Sequence, residues 1–309
     1  MQNILLTGAS GFIGFHLMEK LSANYKLIGL DLLTESSASF HRSQLQNNIQ
    51  KKDIRSTLDL DVKCDTLIHL AAETGIANSN ESPQKYLEQN VKSTLNILEY
   101  CRKNQINQLL YASSSSVYEP SNQALNENAP CDNQLSFYGK TKKVCEELVD
   151  FYCKTHNIKA IGLRFFTVFG SWTRPDMAAY KFMTAIEKGS PINLYNNGKV
   201  YRDFTHVSAV TNAIEALLKK WDEIETGKHE IFNVGKGEPI SIKTYAETIA
   251  RCMQKELTYI SKELPSNELV HTHCDNSKLK SFVKHSEGLN FKQGIEEMVN
   301  WFKLHPYGK

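Results

Sequence analysis

The sequence of 309 residues predicts an α/β fold, in which a doubly wound parallel sheet is joined to a smaller C-terminal α/β lobe. Three observations predict this fold class. Short apolar runs of strand length alternate with longer segments whose apolar residues recur at helical spacing, which is typical of βαβ units. A glycine-rich turn joins the first of these strands to the first helix. Turn residues become dense after about residue 166, which indicates a change of organisation there.

The first part of the chain contains alternating strand and helix patterns. The apolar runs predict strands at 3–7, 26–31, 66–70, 108–113 and 159–164. The helical spacing predicts helices at 11–22, 83–104 and 138–157. Strands that alternate with helices in this way form a parallel sheet with helices on both faces.

The rest of the chain has shorter strands and more turns between its helices. The helices predicted there lie at 178–188, 207–221, 241–254 and 291–305. We therefore expect a first domain at 1–166 and a smaller lobe, mainly for substrate binding, at 167–309. Elements near 200–235 are expected to return to the first domain.

The composition limits the class of protein. Hydrophobic residues make up 41% and charged residues 23% of the chain, which is enough apolar surface for a packed core. The formal net charge is +2, which argues against a polycationic nucleic-acid-binding protein. No signal peptide is recognisable, and no apolar run approaches the ~20 residues that span a bilayer. We therefore expect a cytoplasmic protein that binds neither nucleic acid nor membrane.

The cysteines and histidines do not form a recognisable metal or disulfide pattern. The 7 cysteines are widely spaced and include no C-x-x-C pair. This spacing predicts reduced thiols and a reducing compartment. The histidines are scattered, and we assign no metal to them.

The glycine-rich turn has the features of a dinucleotide site. One glycine allows a tight turn, one lets the backbone approach a pyrophosphate, and one lets the helix pack on the strand. The free N–H groups of the helix then face the phosphates. Asp31, at the end of the second strand, can bind the ribose hydroxyls and would repel a 2′-phosphate, which favours NAD over NADP. The turn consists of Gly8, Ala9, Ser10, Gly11, Phe12, Ile13 and Gly14.

Asp53 and Ile54 follow the position of the third strand and are candidates for contact with adenine. A helix cap at Asp53 is an equally plausible interpretation.

Tyr138 and Lys142 are the first candidates for catalysis. They lie four residues apart on a predicted helix and therefore share one face. A nearby ammonium favours the phenolate form of a tyrosine, which can then act as a base. A serine-rich segment at 113–116 ends a strand at the edge of the sheet where ligands bind. A hydroxyl there can share the proton of a substrate hydroxyl with the tyrosine.

The G-x-x-G-x-x-G spacing and the Ser and Tyr-x-x-x-Lys groups resemble the extended short-chain dehydrogenases/reductases that act on nucleotide sugars. The resemblance implies a Rossmann domain that binds NAD. It implies that Ser114, Tyr138 and Lys142 form a catalytic triad. It also places Leu70, Ala71, Ala72 and Asn90 at the cofactor, with Tyr138, Lys142, Phe12 and Ile13.

The two residues after Ser114 bear on the reaction type. In the 4,6-dehydratases of this branch these positions resemble Asp-Glu, whereas this chain has Ser115 and Ser116. Without carboxylates, dehydration has no obvious proton carrier. Removal and return of hydride remain, which is epimerisation. A reductase or dehydratase of another nucleotide sugar, and a non-catalytic NAD sensor or scaffold, are the alternatives.

The segment from 163 to 178 resembles UDP-glucuronate 4-epimerases. In those enzymes a Thr and an Arg, which match Thr167 and Arg174, hold the carboxylate of the sugar. A guanidinium fork suits a carboxylate well. The alternative for Arg174 is capping of a helix or an ion pair with Asp176. A clamped carboxylate would also be protected from loss of CO₂ when the neighbouring carbon becomes a ketone.

The resemblance implies a nucleotide site further along the chain. Asn193 and Tyr195 would line a uracil site, and Arg202 would bind the diphosphate. Ser114, Ser115 and Ser116 would also face the substrate. From the residues alone, the stretch at 193–205 predicts a hairpin with an Asn-Gly turn.

The chain departs from the usual pattern at several positions, which bear on the nucleotide and the sugar. An arginine of the family is Ala77 here, and Glu119 stands where glycine is usual. The stretch 263–268, which includes Ser266, lacks the usual arginine, and His206 begins a phrase that usually contains acidic residues. The resemblance also implies a homodimer through the helices at 83–104 and 138–157.

Overall fold

The computed structural model describes residues 1–32, 48–60, 62–265 and 268–305. Within these residues, the largest sheet has seven strands, and every pair in it is parallel. The strands are β1 (Asn3–Thr7), β2 (Lys26–Asp31), β3 (Ile49–Lys51), β4 (Thr66–His69), β5 (Gln108–Ser114), β6 (Lys159–Phe165) and β10 (His229–Val234). Their spatial order is β10-β6-β5-β4-β1-β2-β3. The fold class predicted from the sequence is confirmed.

The described residues form helices along the whole chain. Those of the first half are α1 (Phe12–Leu21), α2 (Ile76–Glu81), α3 (Pro83–Tyr86), α4 (Ser93–Lys103) and α5 (Phe137–His156). Those of the second half are α6 (Ala178–Glu187), α7 (Val207–Leu218), α8 (Ile242–Met253), α9 (Ser277–Phe282) and α10 (Phe291–Leu304). Short 3-10 turns lie at Ser115–Val117, Asn196–Gly198 and Trp221–Glu223.

The side chains along β1 alternate between two apolar clusters, one on each face of the large sheet. Ile4 and Leu6 belong to an apolar cluster with α1 and α7, whereas Leu5 belongs to a cluster with α4 and α5. Successive side chains of a strand point to opposite faces, so a strand that is apolar throughout is buried on both sides.

The predicted helix at 83–104 is divided in the structure. A π-helical segment, Leu87–Lys92, separates α3 from α4. It contains Asn90, whose side chain is buried and bonded to two other elements, as described below. Such segments are frequent at functional sites.

The smaller lobe is built from two short sheets and the helices around them. Its strands are β7 (Thr167–Phe169), β8 (Ile192–Tyr195), β9 (Tyr201–His206), β11 (Pro239–Ser241) and β12 (Tyr259–Lys262). One sheet has the order β11-β9-β7, and the other pairs β12 with β8. An aromatic cluster, in which Phe204 stacks on Tyr245 at 4.2 Å between ring centroids, forms the core of this lobe.

The hairpin predicted at 193–205 is wrong. β8 pairs with β12 and β9 pairs with β11 and β7, so the two strands do not pair with each other. Asn196, Asn197 and Gly198 all have positive φ, and this 3-10 turn carries the chain away from β8. A two-residue hairpin turn would have returned it along the same strand.

Two elements from the second half of the chain pack with the large sheet and its helices. β10 pairs with β6 at the edge of the large sheet, and α7 packs in the same apolar cluster as α1. Within the described residues, no helix is both long and apolar enough to cross a membrane. All seven cysteines are free thiols.

Candidate active site

The order of the large sheet reverses at β1, which lies between β2 and β4. In an open parallel sheet, ligands bind beyond the carboxyl ends of the strands at such a point. The glycine turn follows β1, residues 70–72 follow β4, and Ser114 ends β5. The structure therefore brings these three predicted groups to one edge.

The glycine turn packs directly against the chain that follows β4. Gly8 has φ +73°, and a Cβ there would lie 2.7 Å from the amide nitrogen of Ala71. A Cβ on Gly14 would lie 2.0 Å from the carbonyl oxygen of Gly8. These close approaches require glycine. Gly11 precedes α1 and provides no side-chain cap, so the first-turn N–H groups of this helix can face an anion. Phe12 and Ile13 form the first turn of α1.

Asp31 links the end of β2 to the glycine turn. One oxygen of its carboxylate accepts a hydrogen bond from Ser10 N at 2.9 Å, and the other accepts from Leu32 N at 2.8 Å. The carboxylate is thereby fixed beside the turn, which is the location that a ribose-binding acid requires.

Asp53 lies beyond β3 in a turn. Residues 52–60 form no helix, so the helix-cap interpretation is wrong. Its carboxylate instead accepts a fork of hydrogen bonds from Arg55, and these bonds hold the Asp53 pKa below its usual value. Ile54 is buried, and its carbonyl accepts from Asn96 Nδ2 at 2.9 Å.

The Tyr138 and Lys142 pair lies at the start of α5, as the sequence predicts. The Ser136 hydroxyl caps this helix by accepting from Gly139 N at 3.0 Å, so Tyr138 lies in the first turn. Lys142 is buried one turn later, and its Nζ donates to Ala112 O at 3.0 Å.

Ser114 lies next to the start of α5 through a contact between two backbones. The Ser114 hydroxyl accepts from Ser116 N at 3.1 Å and so caps the turn Ser115–Val117. A Cβ on Gly139 would lie 2.1 Å from the carbonyl oxygen of Ser116. The turn that carries Ser114 therefore touches the turn that carries Tyr138, with no side chain between them.

A buried ion pair lies next to Ser113, and it was not expected from the sequence. Glu146 accepts from Arg164 Nε at 2.9 Å and Nη2 at 2.8 Å, and from the Ser113 hydroxyl at 2.6 Å. Burial would raise the Glu146 pKa, but the bonds and charge of Arg164 outweigh it and hold the pKa low. Residues 138, 142 and 146 share one helix face, so spacing alone could have revealed Glu146.

His69 is the last residue of β4, and its side chain is buried. Its ring nitrogens contact the Thr7 hydroxyl at 2.7 Å and the Thr94 hydroxyl at 3.2 Å. Burial, together with the charge of Lys142, lowers the His69 pKa to about 3. The imidazole is therefore neutral at physiological pH.

Asn90 connects the chain after β4 to α5. Its Oδ1 accepts from Glu73 N at 2.8 Å, and its Nδ2 donates to Glu73 O at 3.1 Å and to the Thr141 hydroxyl at 3.0 Å. All of these bonds are to protein. The predicted cofactor role of Asn90 stays a prediction.

Arg174 makes the ion pair that the sequence analysis gave as an alternative. Its Nε and Nη2 donate to the two carboxylate oxygens of Asp176 at 2.9 and 2.6 Å, and its Nη1 donates to the Thr74 hydroxyl. Burial opposes the charge of Arg174, but Asp176 outweighs it and raises the Arg174 pKa. Thr167 lies at the start of β7, half-buried.

Tyr86 joins this arrangement to Tyr138. Its hydroxyl donates to Thr74 O at 2.9 Å and Gly75 O at 2.8 Å. Its ring meets the ring of Tyr138 edge-on, with 6.3 Å between centroids. Burial, followed by the charge of Glu73, raises the Tyr86 pKa to about 12, so the hydroxyl stays a donor. Neither Thr74 nor Tyr86 was expected from the sequence.

The residues predicted to bind the nucleotide do not form hydrogen bonds with one another in the described part of the chain. Asn193 and Tyr195 lie on the outward side of β8 and are exposed. Arg202 donates to Leu269 O at 2.7 Å, Tyr201 O at 2.9 Å and Glu268 Oε2 at 3.1 Å. Burial lowers the Arg202 pKa despite the opposing effect of Glu268. Within the described residues, the hydrogen bonds of Arg202 do not reach β8.

Several departures from the family pattern have structural roles. Glu119 accepts from Asp132 N, Asn133 N and Asn133 Nδ2 at 3.1–3.2 Å, which orders the loop that leads to α5. His206 caps α7 and contacts Glu297 Oε2 at 3.3 Å. Ala77 lies in α2, and Ser266 lies outside the described residues.

Comparisons with known proteins agree with this architecture. The model of the NAD dependent epimerase/dehydratase family matches residues 4–235. An uncharacterized protein of Methanocaldococcus jannaschii is 34% identical over 97% of this chain and 96% of its own length. The UDP-glucuronate 4-epimerase of Thermodesulfobacterium geofontis is 29% identical over 97% of this chain and 95% of its own length.

A solved structure extends the likeness to three dimensions. It is the UDP-glucuronic acid 4-epimerase of Bacillus cereus, in complex with UDP-glucuronic acid and NAD. It superimposes with a TM-score of 0.88 at 28% identity and covers 98% of this chain and 99% of its own. The likeness therefore includes both lobes.

Proposed function

This chain belongs to the NAD dependent epimerase/dehydratase family, and we propose on that premise that it is a 4-epimerase of UDP-glucuronate and UDP-galacturonate. One observation carries the proposal. Ser114 ends β5 at the edge of the sheet that also carries the glycine turn. Its turn meets the turn of Tyr138 through the Ser116 and Gly139 backbones, and Lys142 donates to Ala112 of β5.

The residues at this edge fit NAD. Gly8 and Gly11 place no side chain in the turn, the first turn of α1 offers N–H groups to a pyrophosphate, and the Asp31 carboxylate is fixed where ribose hydroxyls would lie. Lys142, Ala71 and Ala72 would line the nicotinamide side. When bound, NAD would supply hydride removal from C4 of the sugar and hydride return.

The chain's own residues would move the proton. Tyr138, in the first turn of α5, would take the proton of the C4 hydroxyl. The Ser114 hydroxyl would hydrogen-bond the same oxygen. A C4 ketone is planar, so its reduction on the opposite face, with the proton returned by Tyr138, inverts that carbon.

The turn after Ser114 favours inversion over water loss. Ser115 and Ser116 form a 3-10 turn whose side chains are hydroxyls. Elimination of water requires an acid and a base of suitable strength next to the sugar, and hydroxyls do not supply them.

Arg174 supports a uronate as the substrate. It lies near Tyr138 and Tyr86, and Thr167 begins the strand that leads to its loop. A guanidinium here would hold the sugar carboxylate through paired hydrogen bonds. Fixed in this way, the C5–carboxylate bond would be kept out of alignment with the ketone, which would suppress decarboxylation.

One observation favours a second candidate, a 4-epimerase of a neutral nucleotide sugar. Asp176 already occupies the Nε and Nη2 edge of Arg174 and balances its charge. A neutral sugar would bind there without a carboxylate.

We also propose a homodimer formed through the segment 83–103 and α5. Leu87 and Leu95 on the first, and Phe151 on the second, are large apolar side chains that face solvent in the single chain. Burial of such side chains would favour association. Phe151→Glu should convert a dimer into a monomer in sedimentation velocity, and a wild-type monomer would refute this part of the proposal.

The test of the reaction is proton NMR of the purified protein without added cofactor. It is incubated separately with UDP-glucuronate, UDP-glucose and UDP-N-acetylglucosamine. Formation of UDP-galacturonate alone supports the proposal, and Tyr138→Phe should abolish it. Inversion of a neutral sugar instead would favour the second candidate. No reaction with any of them, even after addition of NAD, would refute both.

A further inference from the structure

The guanidinium of Arg174 is held by two segments that are far apart in the sequence. Asp176, in the same loop, binds the edge formed by Nε and Nη2. Thr74, which is 100 residues away and follows β4, accepts from Nη1. This contact joins the loop after β7 to the loop that follows the NAD edge of the sheet.

These contacts leave one N–H on each terminal nitrogen of the guanidinium for a ligand, and we call this pair its open edge. A guanidinium has five N–H groups, and the contacts with Asp176 and Thr74 use three of them. Among the described residues, one N–H on each terminal nitrogen has no acceptor. Two parallel N–H groups on the terminal nitrogens match the two oxygens of a carboxylate. A ligand carboxylate could bind there while Asp176 stays in place.

The contacts of Thr74 connect Arg174 to Tyr138 through Tyr86. The backbone carbonyl of Thr74 accepts from the Tyr86 hydroxyl at 2.9 Å, and the Tyr86 ring packs edge-on against Tyr138. Arg174, Thr74, Tyr86 and Tyr138 therefore form one connected series. A free arginine side chain would lose much rotamer entropy on binding a ligand, and a chain that is already held would lose less.

We propose that Thr74 and Asp176 are positioning residues that give this site its preference for a carboxylate-bearing nucleotide sugar, by holding Arg174 with its open edge toward the substrate. The inference rests on the proposed function, because it concerns the same sugar site. It assigns the preference to three residues in two loops, and not to Arg174 alone. Asp176 acts here as a support for Arg174 and not as a competitor of the substrate.

The test compares a charged and a neutral nucleotide sugar on variants of the whole enzyme. Initial rates give KM and kcat for UDP-glucuronate, and inhibition of that reaction gives Ki for UDP-glucose. Asp176→Ala and Thr74→Val should each raise the KM for UDP-glucuronate about 10-fold. The Ki for UDP-glucose should stay within about twofold, because a neutral sugar does not use the open edge.

Conservative variants separate positioning from a general effect on the fold. Thr74→Ser keeps the hydroxyl and should restore the wild-type KM. Glu230→Gln removes an exposed ion pair with Lys278 at a remote strand and should leave both constants unchanged. Melting temperatures of all variants check that the fold is intact.

Three outcomes would overturn the inference. A lower KM in Asp176→Ala would show that Asp176 competes with the substrate. Equal changes in KM and in Ki would show a general structural role. Unchanged constants in both Asp176→Ala and Thr74→Val would show that neither residue positions Arg174.

The test also distinguishes failure of the inference from failure of the proposed function. If the wild-type enzyme does not epimerise UDP-glucuronate, the proposed reaction is refuted, and calorimetry with UDP-glucuronate and UDP-glucose replaces the rates. Tighter binding of UDP-glucuronate that is lost in Asp176→Ala would still support the inference. Equal affinity of the wild-type protein for both sugars would overturn it.

Discussion

Two arginine–carboxylate forks with the same pattern of donors and acceptors differ in burial. Arg164 and Glu146, the lower fork, have side chains 5% and 4% exposed. Arg174 and Asp176, the upper fork, have side chains 31% and 53% exposed. In both pairs, Nε and Nη2 of the arginine donate to the two oxygens of the acid.

The difference in burial gives the two forks different roles. A buried pair cannot be broken without leaving an uncompensated charge, so it fixes the architecture around it. A half-exposed pair contributes little to stability, because solvent screens it and can replace it. We therefore expect the lower fork to control folding and the upper fork to control which ligand binds.

Removal of one member of the lower fork should have the largest effect. Glu146→Ala leaves Arg164 buried without its counter-ion and the Ser113 hydroxyl without its acceptor. We expect the free energy of unfolding to fall by about 3–5 kcal/mol in urea denaturation. Glu230→Gln, at an exposed pair, should change it by less than ~1 kcal/mol. Equal effects of the two variants would refute the distinction between the forks.

Removal of the arginine of the upper fork should affect turnover and not folding. Arg174→Ala should lower kcat/KM for UDP-glucuronate about 100-fold, which corresponds to about 2.7 kcal/mol. The free energy of unfolding should change by less than ~1 kcal/mol. A UDP-pentose should appear, because the C5–carboxylate bond of the 4-keto sugar can then break. CO₂ would leave, the electron pair would enter an enolate, a proton would add to C5, and return of the hydride to C4 would give the pentose. Product analysis by NMR checks this, and unchanged turnover without pentose would contradict it.

Acid should lower the free energy of unfolding through the buried His69. His69 has a pKa of about 3 in the folded protein, and burial is the main cause. The unfolded chain binds a proton near its ordinary value of ~6.5 and the folded chain does not, so stability is lost as pH falls below ~6.5. The slope attributable to His69 should be about 1.4 kcal/mol per pH unit between about pH 6 and pH 4.

The control for this pH effect is His69→Gln, which removes the titrating group. Urea denaturation of both proteins at several pH values gives the slopes. The wild-type slope should exceed that of the variant over the same range. Parallel curves would show that other groups cause the acid sensitivity.

A third ion pair is intermediate in exposure between the two forks. Its removal should have the smallest effect of the changes considered. Arg202 and Glu268 are 16% and 27% exposed, and backbone carbonyls also hold Arg202. Glu268→Gln should tighten the binding of UDP about threefold in calorimetry, because it removes a negative charge beside a proposed diphosphate ligand. Weaker binding would show that Glu268 holds Arg202 in place for the nucleotide. Glu230→Gln again serves as the control.

Much of the fold was predictable because its determinants are local. β1 and β2 have the predicted bounds, since apolar runs between turn residues define buried strands. α5 begins one residue before the predicted start, because Ser136 caps it. The π-helical segment at Leu87–Lys92 was not predictable, because the pattern of apolar residues at 83–104 does not distinguish it from an α-helix.

The candidate site was predictable where one motif carries the geometry. The four-residue spacing of Tyr138 and Lys142 fixes their common face, and the glycine turn fixes its own shape. Pairs that depend on distant loops were not predictable. Thr74 meets Arg174 only because two loops 100 residues apart converge. The hairpin failed for the same reason, since β12 supplied a partner for β8 that no local pattern showed.

The contact between Gly139 and the Ser116 carbonyl has a consequence for how this enzyme can change. Two backbones in contact set the spacing between the turn of Ser114 and the turn of Tyr138, so no side-chain replacement there can adjust it gradually. New substrate preference must therefore arise elsewhere, by variation in the loops around Thr74 and Arg174. A library for directed evolution of this protein should keep 114–118 and 136–146 constant and randomise 74–75 and 171–177. Every variant in such a library would keep the residues proposed for catalysis, and selection would act only on the preference for the sugar.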